Sequence, residues 1–280
     1  MVNNNFHNQL VNLSTESTNS STCQLNQTTR QLVNSSTESN NLSTCQLVNL
    51  STEKMKILIS EEISSVCPEF AGAAVEAWVT NTPYCDLLWQ EINALAAQFK
   101  SLYSTITIKD IPSIDATRKV YKLCGKDPSR YRPAAEALIR RMVQGKDLYQ
   151  IDTLVDLVNL ASIKFGYSIG GFDADKFVGD TLTLGIGKEG EPYEGIGRGM
   201  LNIAGLPVYR DAEGGVGTPT SDHERTKMTM QTTHVMVLIN GYDGNREHVN
   251  NCAQYLKELF EKYAYGTGVN IVEYGSLFVP

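Results

Sequence analysis

The first part of this 280-residue chain lacks the residues from which a folded core or a tight turn is built. Between Gln9 and Glu53 there is no aromatic residue, no glycine and no proline. Instead, QLVNLSTESTNSSTCQL at 9–25 returns as QLVNSSTESNNLSTCQL at 31–47, with 14 of 17 positions identical. Such a composition cannot bury enough apolar surface to offset the entropy of ordering it. We therefore expect residues 1–54 to form a disordered, low-complexity tail.

The sequence changes character at MKILIS, where a methionine is followed by a strand-like run. We expect residues 55–280 to form the folded domain, and our hypothesis is that Met55 is the natural first residue. The 226 residues from Met55 onward are enough for one substantial hydrophobic core.

Long apolar runs and paired cysteines are missing as well. No stretch reaches the roughly 18 apolar residues of a membrane span, and none has the apolar core of a signal peptide. We therefore expect a cytoplasmic location. The cysteines outside the repeat are widely scattered, at Cys67, Cys85, Cys124 and Cys252. Because no CxxC and no Cys/His pair at metal spacing occurs, the sequence predicts neither a zinc site nor a disulfide scaffold, and we expect no metal and no cofactor.

Positive charge is scarce except in one window. The formal net charge of the chain is −7, and such acidity argues against indiscriminate nucleic-acid binding. From Arg118 to Lys146, however, nine bases face only Asp127 and Glu136. This asymmetry favours a basic surface that binds a phosphate backbone, and the alternative is a solvated helical face with internal ion pairs. The candidate tRNA-binding residues in this window are Arg118, Lys122, Arg130, Arg132, Arg140 and Arg141.

Hydrophobic periodicity predicts helices in the first half of the domain and strands in the second half. Helices are expected at 84–103, 113–123, 133–145, 152–165 and 247–263. Strands are expected at 55–60, 70–79, 181–186, 206–210, 232–239 and 270–274. The glycine-rich segments 187–199 and 211–226 are expected to be loops. This order predicts the α+β class, with a mixed or antiparallel sheet and helices clustered in the first half.

Four stretches, in order along the chain, carry a family resemblance. They are DPSRYRPAAEALIRRM, IDTLVDLVNLASIKFG, GGFDADKFVGDTLTLGIGKEGEPYEGIG and GTPTSDHERTKMT. Together they resemble a free-standing form of the B3/B4 domain of the phenylalanyl-tRNA synthetase β subunit, over Met55 to Pro280. In the synthetase this domain houses the editing site, which hydrolyses tyrosine wrongly attached to phenylalanine tRNA. The resemblance implies tRNA as the partner and editing as the activity, and it implies no ligase, because nothing here corresponds to the aminoacylation machinery.

The resemblance also points to residues on the helix expected at 152–165. The family motif DxxN corresponds to Asp156 and Asn159. Asn159 resembles a residue that lines the editing pocket, where its amide would bind the substrate or the attacking water. The alternative is a hydrogen bond to neighbouring backbone. The synthetase has a histidine where this chain has Gly170, so a mechanism that relies on that imidazole is not implied here.

The polar loop GTPTSDHERT at 217–226 supplies the other candidates. Arg225 is expected to hold a phosphate or carboxylate in bidentate fashion, and Asp222 to orient water or the substrate ammonium group. The alternative is a surface turn capped by its own side chains. A Ser221–His223–Asp222 triad is disfavoured, because adjacent residues rarely meet triad geometry and no GxSxG elbow is present. The candidate catalytic residues are Asn159, Ser221 and Asp222, and the candidate pocket residues are Gly170, Gly217, Thr218, Arg225 and His234.

Three functions remain open at this point. The first is a deacylase that clears misacylated tRNA in trans. The second is a non-catalytic RNA-binding module that kept the fold and lost the chemistry, which the missing histidine favours. The third, an amino-acid sensor that uses the same pocket, leaves the basic window without a partner.

We expect the repeat to be dispensable for folding, because its polar composition contributes no core. A chain that begins at Met55 should match the thermal midpoint of the full chain within error in calorimetry. A clear drop in the midpoint, or protection of 9–53 from protease, would contradict this expectation.

Overall fold

The computed structural model describes residues 55–275. The expected disordered tail at 1–54 lies outside this range and stays a prediction. The α-helices of the described residues are α1 (Glu61–Val66), α2 (Asp86–Leu102), α3 (Pro112–Leu123), α4 (Ala134–Val143), α5 (Thr153–Phe165) and α6 (Arg246–Tyr263). The strands are β1 (Lys56–Ile59), β2 (Ala71–Trp78), β3 (Ile169–Asp173), β4 (Thr181–Ile186), β5 (Glu194–Gly195), β6 (Gly199–Met200), β7 (Pro207–Arg210), β8 (Gly215–Gly217), β9 (His234–Gly241) and β10 (Thr267–Gly275).

Two four-stranded sheets organise the domain. The first has the order β1-β4-β7-β8, with β1 parallel to β4 and the other pairs antiparallel. The second has the order β10-β2-β9-β3 and is antiparallel throughout. The expected α+β class with a mixed or antiparallel sheet is therefore confirmed.

The main hydrophobic core lies between the two sheets. Leu184 of β4 and Val216 of β8 share one buried cluster with Phe172 of β3 and Leu238 of β9. A second buried cluster joins α2, α3, α4 and α5, and Ile139 and Met142 on α4 belong to it. The helical layer reaches the second sheet through α5, which packs on β3. Among residues 55–275, no helix is both long and apolar enough to cross a membrane.

Several expectations need correction. β8 lies in the segment 211–226 that was expected to be a loop, and β3 was not among the expected strands, because the glycines of IGGFD and GVG hide the alternating pattern of a strand. α1 was not expected either, although Ser60 caps it by accepting a hydrogen bond from the Ile63 N–H. The helix expected at 113–123 begins at Pro112, and the Ser113 hydroxyl donates to the Phe165 carbonyl.

α5 begins and ends as its sequence predicts. The Asp152 carboxylate accepts a hydrogen bond of 2.9 Å from the Val155 N–H at its start. Gly166 ends the helix in the left-handed region with φ 71°. These two residues fix the register of the helix that carries Asp156 and Asn159.

We predict that Gly166→Ala destabilises the domain more than Gly145→Ala does. Both glycines have a positive φ, 71° and 75°, so both substitutions strain the backbone. A Cβ atom at residue 166 would also lie 2.4 Å from Ser113 Oγ, whereas nothing lies within 4 Å of one at residue 145. Urea unfolding should give a loss of about 1 kcal/mol for Gly145→Ala and clearly more for Gly166→Ala. Equal losses would contradict the packing argument.

Candidate functional site

The loop 217–222 is a tight turn that returns the chain beside β8. Thr218 Oγ1 accepts hydrogen bonds from the N–H groups of Thr220 (3.2 Å) and Ser221 (3.1 Å). The same hydroxyl donates to the Ser221 carbonyl at 2.9 Å. Gly217 and Asp222 then pair in an antiparallel bridge. Thr218, a candidate pocket residue, therefore closes the turn that aims Asp222 at β3.

The Asp222 carboxyl lies in a space that only glycines leave open. Its Oδ2 accepts a hydrogen bond of 3.1 Å from the Gly171 N–H. A Cβ atom at Gly170 would lie 3.2 Å from Asp222 Oδ1, and one at Gly217 would lie 3.0 Å from it. The Phe172 ring is nearer still to both positions, at 2.7 and 2.5 Å. The structure therefore brings together three of the candidate residues, Gly170, Gly217 and Asp222.

The pKa of the Asp222 carboxyl is determined mainly by burial. Burial raises the pKa of its carboxyl from 3.8 to about 7, and the single Gly171 hydrogen bond opposes this only in part. The residue as a whole is half-buried. Oδ1 makes no hydrogen bond to residues 55–275 and is not fully enclosed, so it keeps access to water. Asp222 is thus a carboxyl that changes charge near neutral pH with one oxygen still available.

Asn159 lies on the helix that packs beside this carboxyl. Val158, its neighbour on α5, is 3.6 Å from the position of a Cβ atom at Gly171, the residue that donates to Asp222. Asn159 is half-buried, and its side chain makes no hydrogen bond within the described part of the chain. The alternative of a bond to neighbouring backbone is therefore not seen, and the amide is available for a ligand.

Asp156, the other residue of the DxxN motif, is bound internally. Its carboxylate accepts hydrogen bonds from Trp89 Nε1 (2.7 Å) and from the Ile151 N–H (3.3 Å). Burial nevertheless raises the pKa of Asp156 to about 6. This residue anchors α2 to the start of α5 and so supports the position of Asn159.

The side chains of Ser221 and His223 do not form a nucleophilic pair. Ser221 Oγ donates to the Asp222 carbonyl at 3.3 Å. His223 Nδ1 accepts from the Arg225 N–H at 3.0 Å, and its ring packs edge-on against Tyr193. Burial lowers the pKa of His223, which favours the neutral ring. This geometry agrees with the expectation against a triad.

Arg225 is held by carboxylates of the protein. Both ends of its guanidinium bind Asp211, with Nη2–Oδ1 at 2.8 Å and Nη1–Oδ2 at 3.0 Å. Nη1 also donates to the Lys176 carbonyl at 3.1 Å. A contact with phosphate would require this bidentate pair to open, so the geometry favours a structural role for Arg225.

His234 lies away from the Asp222 loop. Leu238 pairs with Gly170, and His234 is four residues further along β9, about 13 Å at the usual rise per residue. Its ring stacks on Trp78 with centroids 4.3 Å apart and bridges Asp175 and Glu76, each at 2.9 Å. The wall of the Asp222 site is therefore built without His234.

The basic window is only partly a surface. The i,i+4 spacing of Glu136 and Arg140 predicts an ion pair on the outside of α4. Instead, Glu136 is 1% exposed and lies among the guanidiniums of Arg118, Arg132 and Arg140, at 2.8, 3.4 and 3.5 Å. This corrects the expectation, because Arg118 on α3 and the arginines one turn to either side cover the carboxylate. Lys126 is also buried, and its ammonium donates to the carbonyls of Asn202 and Ala204.

The remaining cations of the window face outward. Lys122 and Arg130 are exposed, and no ion pair of theirs occurs within residues 55–275. Arg141 stacks on Tyr149 with its guanidinium carbon 3.9 Å from the ring centroid. The candidate tRNA-binding residues thus fall into an inner group around Glu136 and an outer group that is open to a partner.

The polar loop and the basic window are in direct contact. The Ala134 N–H at the start of α4 donates to the Pro219 carbonyl at 2.8 Å. Thr220 Oγ1 donates to the Tyr131 carbonyl at 3.1 Å and hydrogen-bonds the Tyr121 hydroxyl at 2.9 Å. The position of the Asp222 loop is therefore tied to the segment that carries the arginines.

Sequence reasoning missed Gly171 and Phe172, which border the Asp222 carboxyl, and Thr220, which ties the loop to Tyr131 and Tyr121. Gly171 and Phe172 lie in β3, which was not among the expected strands and is identified only by its pairing with β9. The charge run did contain Glu136, but its burial had no signal in the sequence. Residues 55–275 contain no group of three or more histidine, cysteine, aspartate or glutamate side chains placed to hold a metal ion.

Comparisons with known proteins bear on this geometry. A family model described as the B3/4 domain matches residues 116–265, a range that contains every candidate residue named above. Among solved structures, the chain is similar to an N-terminal fragment of the phenylalanyl-tRNA synthetase β subunit from Pyrococcus horikoshii. The identity is 15%, the TM-score is 0.39, and the match covers 77% of this chain and 50% of that fragment. The chain therefore spans half the length of the fragment. Comparison with curated proteins gives no match.

We predict a pH-dependent stability that originates at Asp222. Because its folded pKa of about 7 exceeds the unfolded value of 3.8, its contribution is fully present below pH 3.8 and is lost as the pH rises towards 7. Relative to Asp222→Asn, the free energy of unfolding of the wild type should fall by about 1.4 kcal/mol per pH unit across this window. Asp180→Asn serves as the control, since the Asp180 carboxyl is exposed and its pKa is lowered. Parallel curves for wild type and Asp222→Asn, from urea unfolding between pH 5 and 8, would contradict the prediction.

Proposed function

The chain belongs to the B3/4 domain family, and from this premise we propose that it binds tRNA and hydrolyses the ester of a wrongly attached amino acid in trans. The main support for this proposal is the carboxyl group of Asp222. Hydrolysis of an aminoacyl ester requires a group that takes a proton from water and later returns it. A carboxyl with a pKa of about 7 can do both near neutral pH.

The glycine at residue 170 supports the assignment of the proton-transfer role to Asp222. The synthetase form that this sequence resembles has a histidine at this place. Here a Cβ atom would meet both Phe172 Cζ at 2.7 Å and Asp222 Oδ1 at 3.2 Å. The Asp222 carboxyl thus occupies space next to the place of the absent side chain, and it supplies a titratable group there.

In the proposed reaction, water attacks the ester carbonyl carbon while Asp222 Oδ1 accepts a proton from that water. The tetrahedral intermediate then collapses, the bond from the carbonyl carbon to the ribose oxygen breaks, and Asp222 returns the proton to that oxygen. The products are the free amino acid and the uncharged tRNA terminus. Asn159 orients the water or the carbonyl through its amide, which has no bond to described residues.

Binding of tRNA is assigned to the outer cations of the basic window. Lys122 and Arg130 are exposed, and the segment that carries them is fixed to the catalytic loop through Ala134 and Pro219. An RNA that contacts these cations through its phosphates would therefore be positioned relative to Asp222.

One observation favours a second function, a non-catalytic RNA-binding module. The polar side chains of Ser221, His223 and Arg225 all bind other parts of the protein, which leaves few groups for chemistry. In this alternative the loop serves as a structural support for the basic segment, and Asp222 closes the loop against Gly171.

Kinetics with tyrosine attached to phenylalanine tRNA separate the two functions. Asp222→Asn keeps an acceptor for the Gly171 N–H but cannot take a proton, so we expect kcat to fall about 10²- to 10⁴-fold with tRNA affinity within about twofold. Asn159→Ala should lower kcat by about tenfold or more. Asp180→Asn, which removes an exposed carboxylate paired with Lys56, should have no effect.

The pH profile provides a further criterion. The kcat/KM of the wild type should rise with an apparent pKa near 7, and Asp222→Asn should lose this limb. A wild-type protein that binds tRNA but hydrolyses no aminoacyl ester above background, for tyrosine, phenylalanine and smaller residues, would establish the binding-module function instead.

A further inference from the structure

A cavity of about 330 Å³ opens beside the basic window, on the helical side of the domain. This volume is at the lower end of the range for small-molecule sites, roughly 300–1,000 Å³. The cavity lies between α3, α4 and the turn that precedes α3. Its lining residues are Thr105, Ile106, Lys109, Arg118, Ser129, Arg132, Glu136 and Arg140.

The charges that line this cavity do not cancel. Arg118, Arg132, Arg140 and Lys109 are opposed by Glu136 alone, which leaves a net charge of +3. Glu136 is 1% exposed, whereas the arginine side chains are 15%, 36% and 25% exposed, so the carboxylate forms the floor and the guanidiniums the walls. One buried carboxylate holds three cations in place, and their excess charge faces the opening.

Two of the three arginines, Arg132 and Arg140, use little of their hydrogen-bonding capacity. Each guanidinium has five N–H donors. Within residues 55–275, Arg132 makes one hydrogen bond, to the Ser129 carbonyl, and Arg140 makes one, to Glu136. The Nε atoms of both are fully buried and have no hydrogen-bond partner. Most donors on the terminal nitrogens of these two arginines therefore remain available to an acceptor in the cavity.

We propose that this arginine cavity is a binding site for a phosphoryl group. Arg132 and Arg140 donate to its oxygens through their terminal nitrogens, Arg118 contributes the third guanidinium, and Glu136 positions all three. A phosphate fits better than a carboxylate, because its tetrahedral oxygens, two free in an RNA phosphodiester and three in a monoester, can accept from several guanidiniums at once in a cavity with an excess charge of +3.

This inference rests on the proposed function only for the identity of the molecule that carries the phosphate. If the protein binds tRNA, an RNA phosphate occupies the cavity while Lys122 and Arg130 contact neighbouring phosphates. The cavity itself requires only the phosphoryl chemistry, so it can be tested with inorganic phosphate and without RNA.

The test is titration of the full chain with inorganic phosphate, by calorimetry and by thermal shift, with potassium chloride at matched ionic strength as the reference. Wild type should bind phosphate at the cavity and show a rise in thermal midpoint with phosphate concentration. Arg132→Gln and Arg140→Gln should each weaken phosphate binding at least about tenfold. Arg198→Gln, which removes an exposed arginine from the turn after β5, should bind phosphate as wild type does.

Glu136→Gln distinguishes a binding site from a purely structural ion cluster. Removal of the counter-charge should lower the thermal midpoint without phosphate, because the repulsion among three guanidiniums is then uncompensated. The same change should tighten phosphate binding severalfold, so that phosphate restores much of the lost midpoint. If Glu136→Gln does not fold, the comparison of Arg140→Gln with Arg198→Gln still decides the matter.

Absence of a phosphate-specific shift in wild type, or equal phosphate binding by wild type and Arg140→Gln, would overturn the proposal. Competition then identifies the source of the phosphate. If phosphate displaces tRNA and Arg140→Gln weakens both, the cavity takes an RNA phosphate. If phosphate binds at the cavity and tRNA binding is absent or unaffected, the cavity takes a phosphorylated small molecule, and the tRNA part of the proposed function fails independently.

Discussion

The contact between the Asp222 carboxyl and the glycine-lined edge of β3 sets the arrangement of the candidate site. Gly171 supplies the N–H that Asp222 accepts, and residues 170 and 217 must lack side chains because Phe172 and Asp222 occupy the space. The same contact joins the two sheets, since β3 belongs to one and β8, with its loop, to the other. The site therefore lies where the sheets meet, and its chemistry depends on how they pack.

The carboxyl groups of Asp222 and Glu136 lie in contrasting electrostatic environments. Asp222 has a single backbone donor, so burial raises its pKa to about 7 and the proton is held loosely enough to exchange near neutral pH. Glu136 lies within 3.5 Å of three arginine guanidiniums, which surround its side chain with positive charge. The first arrangement suits proton transfer, and the second suits the attraction of an anion. A domain that handles a charged polymer and its ester end would need both.

The Asp222 loop and the arginine cluster around Glu136 are connected by hydrogen bonds at the start of α4. Pro219 and Thr220, between β8 and Asp222, bind Ala134 and Tyr131 at the start of α4. Glu136 is on the first turn of the same helix, so the arginine cavity and the Asp222 loop share one supporting element. The α5 helix completes the frame, because Asp156 ties it to Trp89 while Asn159 remains available.

Much of this architecture could be predicted from the sequence, because helix faces and helix ends are determined by residues that are close together in the chain. The spacing of Ala135, Ile139 and Met142 determines which face of α4 is buried, and Asp152 and Gly166 determine where α5 starts and stops. The family motifs likewise determined the membership and the candidate residues Asn159 and Asp222. What only the tertiary structure decided is the state of the charged groups: the inward turn of Glu136, the capture of Arg225 by Asp211, the distance of His234 and the raised pKa of Asp222. Charge state depends on desolvation and on partners far apart in the chain, and a linear pattern of residue types contains neither.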